Sequence, residues 1–143
     1  MVGPTAARLM RPGRVLVVEP DFLLRTLVAE WLGQVGIHAV FPTSGPCEAT
    51  AKLGSVGAIV IDIPSPPDAG PVLQAWRRVF PKAAIIAASA RFAARDEPDD
   101  AMAGRLAVTR VLAKPYSRRE LYAALGVARA GSLTPWPDSG KGY

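Results

Sequence analysis

The sequence predicts an α/β domain in which a parallel sheet is covered by helices on both faces. Two short apolar runs, 14–18 and 58–61, are continuous rather than alternating, as expected for central strands buried on both sides. Helical patterns follow these runs and three weaker ones, so strand and helix alternate five times with short connections. Such alternation is typical of a parallel sheet joined by right-handed crossovers. A chain of 143 residues can bury one such core without a disulfide or a metal.

The remaining elements follow from local patterns. The other strands are predicted over 37–40, 83–88 and 109–112. The first helix is predicted from an apolar stripe that buries one face, with Asp21 placed as its N-cap. This stripe consists of Leu23, Leu24, Leu27, Val28, Trp31 and Leu32. The other helices are predicted over 46–53, 71–79 and 98–105, and at an apolar face formed by Leu121, Ala124, Leu125 and Ala128.

Composition argues against several classes of protein. The longest apolar stretches run to about half a dozen residues, well below the ~20 that span a bilayer, so no membrane association is expected. The basic residues are scattered and form no stripe, which argues against nucleic acid as a partner. A single cysteine, Cys47, and the lack of a secretory signal pattern favour a cytoplasmic protein. Residues 1–13 and 131–143 are expected to be tails, the second one flexible, around a domain of residues 14–130.

Chemically active side chains follow the predicted strands where they end. Glu19 and Asp21 come after the first strand, Asp62 after the third, Ser89 after the fourth and Lys114 after the fifth. The carboxyl ends of parallel strands meet at one edge of a sheet, where ligands bind in open α/β folds, so we expect these side chains to lie together. Carboxylates, a hydroxyl and a fixed ammonium form a set suited to handling a phosphoryl group.

Each of these residues also has a purely structural interpretation. Asp62, taken alone, is explained equally well as a carboxylate that accepts backbone N–H bonds in its own loop. Asp21 fits the N-cap of the first helix better than a metal ligand. Ser89 has the alternative of a helix-entry cap, and Lys114 that of an ordinary surface lysine.

Four short motifs occur in order, each at a strand end. They are Val15-Leu16-Val17-Val18-Glu19, Ile61-Asp62-Ile63 with Pro66 and Gly70 downstream, Ala88-Ser89-Ala90, and Leu112-Ala113-Lys114-Pro115-Tyr116. Together they closely resemble the motifs of the receiver domain of two-component response regulators, over about residues 13–130. The resemblance implies a flavodoxin-like (βα)5 fold, a doubly wound single domain with strand order 2-1-3-4-5.

The resemblance also implies roles for the residues at the strand ends. Asp62 accepts a phosphoryl group from a histidine kinase or a histidine phosphotransfer protein. Lys114 neutralises charge on the phosphoryl oxygens, and the hydroxyl of Ser89 hydrogen-bonds one of them. The peptide bond between Lys114 and Pro115 is expected to be cis.

Mg²⁺ is the cofactor that the resemblance implies, held by Glu19, Asp62 and the backbone carbonyl of Pro64. Members of the family usually carry two adjacent acids after the first strand, whereas this chain has Glu19 and Pro20. Because Mg²⁺ is held by only one or two protein carboxylates, the loss of one weakens binding by at least about tenfold, or ~1.4 kcal/mol. The longer side chain of Glu19 and, less readily, that of Asp21 are the two candidates to replace the missing ligand.

A second departure concerns how the phosphorylated state is transmitted. Val111 stands where the family commonly has Tyr or Phe, and valine lacks the ring of the usual rotamer switch. The resemblance implies no enzymatic activity and a protein partner at the face of the fourth helix, fifth strand and fifth helix, which is also a candidate homodimer face. The residues expected there are Leu106, Arg110, Val111, Arg118, Arg119 and Tyr122. The alternative is a degenerate receiver that docks partners without phosphorylation.

Overall fold

The computed structural model describes residues 13–92 and 98–127, in which five parallel strands are each followed by a helix. The strands are β1 Arg14–Val18, β2 His38–Val40, β3 Ala58–Asp62, β4 Ala84–Ser89 and β5 Arg110–Ala113. The helices are α1 Phe22–Gly33, α2 Glu48–Ala51, α3 Gly70–Val79, α4 Asp99–Leu106 and α5 Arg118–Leu125, with a 3₁₀ turn at Pro66–Asp68. Most of the predicted N-terminal tail, Ala128 and the whole predicted C-terminal tail lie outside the described residues.

The strand order confirms the predicted fold class. The sheet runs β2-β1-β3-β4-β5, and every neighbouring pair is parallel. The chain winds to one side of β1 for β2 and then to the other side for β3, so β1 and β3 are neighbours without being consecutive. The carboxyl ends of β1 and β3 therefore flank the topological switch point, which is where doubly wound sheets bind ligands.

The sheet separates two hydrophobic layers. Consecutive strand residues point to opposite faces, so Val15 and Val17 enter one layer and Leu16 the other. The first layer packs the sheet against α1 and α5 through Val28, Leu32, Leu121, Tyr122 and Leu125. The second packs it against α3 and α4 through Leu73, Trp76, Met102 and Ala103. No helix in the described ranges has both the length and the apolarity to cross a bilayer.

The second helix is shorter than predicted. The pattern predicted a helix over 46–53, whereas α2 covers only Glu48–Ala51. The backbone N–H of Leu53 bonds to the carbonyl of Thr50, and that of Gly54 to Ala51, so the chain tightens into i→i+3 bonds after α2. Gly54 then adopts a φ of 93°, which ends the helix.

The burial predicted for the first helix is wrong on one side of the stripe. Val28 and Leu32 are fully buried as expected, but Leu23 is 77% exposed and Leu27 is 40% exposed. Phe22 is also 65% exposed. Residues 23 and 27 lie about 100° around the helix from 24 and 28, so they fall outside the single face that contacts the sheet. The N-terminal half of α1 therefore presents an apolar surface, Phe22, Leu23 and Leu27, which we call the α1 patch.

The predicted N-cap of α1 is confirmed and gives a test of local stability. The Oδ1 atom of Asp21 accepts hydrogen bonds from the N–H groups of Leu23 at 2.9 Å and Leu24 at 3.2 Å. We expect Asp21→Ala to lower the free energy of unfolding in urea by about 1 kcal/mol, because both donors lose their acceptor. Asp21→Ser keeps a capping oxygen and is expected to retain most of this stability. Equal losses in the two variants would contradict the capping role.

Candidate functional site

Lys114 joins the two acids at the carboxyl edge of the central strands. Its Nζ atom lies 2.6 Å from Asp62 Oδ1 and 2.8 Å from Glu19 Oε1. Asp62 is the last residue of β3, Glu19 directly follows β1, and Lys114 directly follows β5. The structure thus brings these three predicted residues together, and we call them the Lys114 triad.

The triad is largely buried, which makes its pairing obligatory. The exposed fractions of the side chains are 5% for Glu19, 15% for Asp62 and 17% for Lys114. The second oxygen of Glu19, Oε2, accepts the backbone N–H of Asp21 at 3.0 Å. Both oxygens of Glu19 are therefore engaged, whereas no described residue donates a hydrogen bond to Asp62 Oδ2. Buried charges persist only when they are paired in this way.

The surroundings of the triad shift the pKa values of two neighbouring groups. Burial lowers the pKa of Lys114, but the hydrogen bonds and charges of Asp62 and Glu19 outweigh it and raise the pKa above 10.5. The stability that this pairing adds is therefore present at neutral pH and is lost only as the pH rises through the raised value. Burial, with smaller contributions from Glu19 and Asp62, also raises the pKa of the Tyr116 phenol, which stays neutral at physiological pH.

Ser89 lies beside the triad and also caps its own loop. Ser89 is fully buried, and its carbonyl accepts the N–H of Lys114 at 3.0 Å. Asp62 is in register with Ala88, the residue before Ser89. The Ser89 hydroxyl oxygen accepts the N–H of Arg91 at 3.1 Å. The peptide bond between Lys114 and Pro115 is cis, as expected.

The remaining predicted metal ligands differ in their suitability. Asp21 is turned towards α1 as its N-cap, so its carboxylate is engaged outside the triad. Pro20 and Pro64 are exposed at the same edge, and Pro64 can offer only its carbonyl. Within residues 13–92 and 98–127, no three His, Cys, Asp or Glu side chains gather into a metal site. Glu19, Asp62 and the Pro64 carbonyl are oxygen donors of the kind that Mg²⁺ prefers, whereas Pro20 offers no carboxylate.

The prediction that Val111 and Tyr122 lie on the partner face is wrong, because both side chains are buried. Val111 is 8% exposed and packs in the layer of α3 and α4, and Tyr122 is fully buried, with its hydroxyl donating to the Trp31 carbonyl at 2.5 Å. Residues of β5 and α5 that point into the sheet layers are unavailable to a partner. Leu106 is half-buried, and the exposed residues of the predicted set are Arg110, Arg118 and Arg119.

The α1 patch, which begins close to the triad, was not predicted from the sequence. Asp21, which bonds to Glu19, directly precedes Phe22, so the patch begins within three residues of the triad. A signal was present in the sequence, because an apolar residue at 22 widens the stripe beyond one helix face.

The Lys114 triad can be tested through its effect on stability. We expect Lys114→Met to lower the free energy of unfolding at pH 7 by about 2 kcal/mol, because Glu19 and Asp62 are left buried without a cation. Lys82→Met, on an exposed lysine, is the matched control. A loss at pH 7 no larger than that of the control would show that the triad is unimportant for stability.

Comparison with solved structures finds the same fold in signalling proteins. No protein-family model and no curated protein matches the sequence. The chemotaxis protein CheY4 of Vibrio cholerae is 19% identical, with a TM-score of 0.61 over 79% of this chain and 95% of that protein. A response regulator receiver protein from Burkholderia phymatum is 23% identical, with a TM-score of 0.58 over 83% of this chain and 98% of that protein.

A third similar structure carries a modification at an aspartate. It is a response regulator from Burkholderia pseudomallei with a phosphorylated aspartic acid, a calcium ion and citrate. The identity is 18% and the TM-score 0.58, over 78% of this chain and 65% of that protein. The strand order and these structural matches show that the chain has the fold of response regulator receiver domains.

Proposed function

We propose that this chain is a receiver that accepts a phosphoryl group on Asp62 and signals through protein contacts. The observation that carries the proposal is the Lys114 ammonium, held 2.6 Å from Asp62 Oδ1 at the switch-point edge of the sheet. A fixed cation beside a nucleophilic carboxylate stabilises the negative charge of a transferring phosphoryl group. The phosphorylated aspartic acid in the similar Burkholderia pseudomallei protein is consistent with this chemistry on the same fold.

The proposed step uses the oxygen of Asp62 that does not contact Lys114. The Oδ2 atom attacks the phosphorus of a phosphohistidine on a histidine kinase or phosphotransfer protein. The O–P bond forms as the P–N bond breaks, and the bonding electron pair leaves with the imidazole nitrogen. Lys114 neutralises charge on the phosphoryl oxygens, and the Ser89 hydroxyl donates its remaining proton to one of them.

Mg²⁺ is proposed as a weakly bound cofactor. Asp62, Glu19 and the Pro64 carbonyl would hold it, and the ion supplies positive charge at the phosphoryl oxygens. Two observations support weak binding: Pro20 has no carboxylate, and both oxygens of Glu19 already accept hydrogen bonds. The Lys114 ammonium supplies part of the charge that a tightly held metal would otherwise provide.

The exposed surfaces support a proposal for the partners. The α1 patch lies beside the triad and offers apolar area for docking the phosphodonor protein. A downstream partner, or a second copy of the chain, would use the face of α4, β5 and α5, where Arg110 and Arg119 are exposed. On this proposal the chain works in the cytoplasm and catalyses no reaction on a separate substrate.

A second candidate function is a docking module that works without phosphorylation. Both oxygens of Glu19 already accept hydrogen bonds, and this favours the docking module because it leaves little room for a metal at Glu19. Val111, buried where a receiver commonly has a mobile ring, favours it too. In this case the Lys114 triad would serve stability alone.

Intact mass spectrometry distinguishes the two functions. With Mg²⁺ and acetyl phosphate, we expect the protein to gain about 80 Da, the mass of one phosphoryl group. Asp62→Asn is expected to abolish the gain. Asp68→Asn, which removes an exposed carboxylate from the loop after β3, is the matched control and should keep it. The same mass before and after treatment at saturating Mg²⁺ would favour the docking module.

The missing metal ligand gives a separate test. We expect Pro20→Asp to lower the Mg²⁺ concentration needed for half-maximal phosphorylation by about tenfold, because it adds a carboxylate beside Glu19. Pro20→Ala controls for the loss of the proline ring and should leave that concentration unchanged. If the two variants respond alike, position 20 does not contribute to metal binding.

A further inference from the structure

A large cavity opens at the switch point next to the triad. Its volume is about 630 Å³, which falls in the range of small-molecule sites, ~300–1,000 Å³. Its walls come from the segment after β2, residues 41–46, and from the segment after β3, residues 63–69. The ends of β1 and β3 form the part nearest to Asp62. The two walls therefore belong to connections on opposite sides of β1 in the strand order.

The lining of this cavity is mainly apolar and rigid. Four prolines contribute to it, Pro20, Pro42, Pro46 and Pro64. Phe41 and Val72 also line the cavity, and they remain 37% and 39% exposed. Proline has a fixed φ and no backbone N–H, so such walls lose little entropy when a ligand binds. Exposed apolar side chains in a concave site favour a ligand with an apolar body.

The charge that the ligand must carry is indicated by Arg25. Its guanidinium lies 5.5 Å from the ring centroid of Phe22 and 5.8 Å from that of Phe41, so two aromatic rings hold it in place. Arg25 is half-buried, and among the side chains and carbonyls that the structure describes, which do not include the side chain of Glu48, none accepts a hydrogen bond from its guanidinium. Its planar fork of N–H donors matches a carboxylate.

Each carboxylate of the lining already accepts at least one hydrogen bond, which argues against a cationic ligand. Glu19 and Asp62 accept hydrogen bonds from Lys114. Asp68 accepts one from the hydroxyl of Ser65 at 2.9 Å and is exposed to water. Among the described side chains, each of these carboxylates therefore has a donor on at least one oxygen, whereas the Arg25 guanidinium has no acceptor. An anionic group on a ligand would supply that acceptor.

We propose that the cavity binds a small organic anion with an apolar, aromatic body and one carboxylate, which pairs with Arg25. The strand order places Phe41, after β2, and Asp62, at the end of β3, on the two sides of β1. The carboxylate therefore binds on the β2 side, away from the acids of the triad. This site goes beyond the proposed function, because it requires no phosphoryl group on Asp62.

A charge-matched set of probes tests the proposal on the unphosphorylated full chain. The probes are 2-naphthoate, 2-naphthylmethanol and 2-naphthylmethylamine, which share a ring system and differ in charge. We expect naphthoate to bind at least about tenfold more tightly than the alcohol, and the amine most weakly. In ¹⁵N-resolved NMR titrations, the amide shifts should concentrate in residues 41–46 and 63–69. Equal affinities for the three probes, or shifts concentrated elsewhere, would overturn the proposal.

Variants separate the anion pocket from general apolar binding. Arg25→Met keeps the length of the side chain and is expected to remove the preference for naphthoate over the alcohol, whereas Arg25→Lys keeps part of it. Arg78→Met, on an exposed arginine of α3, is the matched control and should change nothing. Val72→Trp fills the opening of the cavity and should weaken the binding of all three probes. Thermal unfolding establishes that each variant is folded, and a preference that survives in folded Arg25→Met would refute the role of Arg25.

Discussion

The contact between Lys114 and the two acids Glu19 and Asp62 constrains most of the functional edge. Both carboxylates are largely buried, and the ammonium that they share offsets the cost of burying their charges. The ammonium comes from the end of β5, while the acids come from the ends of β1 and β3. A single buried interaction therefore fixes the relative positions of three strand ends. The N–H of Asp21 extends it to α1, because it donates to the second oxygen of Glu19.

On the proposed function, this interaction also makes the departures from the receiver pattern compatible with phosphoryl transfer to Asp62. Pro20 removes a carboxylate, and this leaves a triad with two negative charges and one positive charge. A further acid would add negative charge that only a bound metal could balance. On the proposed function, the Lys114 ammonium, whose raised pKa keeps it charged well above neutral pH, supplies positive charge beside the two acids.

Particular elements show where sequence-based prediction succeeded. The strands were predicted well because runs such as 58–61 are buried on both faces and need no alternation. The N-cap at Asp21 was predicted because capping depends on residues only two or three positions away. The helix predicted over 46–53 was too long, because the chain leaves the α-helix after Ala51 through i→i+3 bonds and the turn at Gly54. The spacing of apolar residues carries no information about that turn.

The sequence by itself determined the alternation of strand and helix, and therefore which side chains stand at strand ends. Those features follow from local periodicity and from the chirality of crossovers. Only the tertiary structure decided which groups meet, because Lys114 and Asp62 are 52 positions apart and their pairing depends on the strand order. It also decided that Leu23 faces solvent while Tyr122 is buried. The cavity beside Arg25 arises in the same way, from two loops that the doubly wound sheet places on either side of β1.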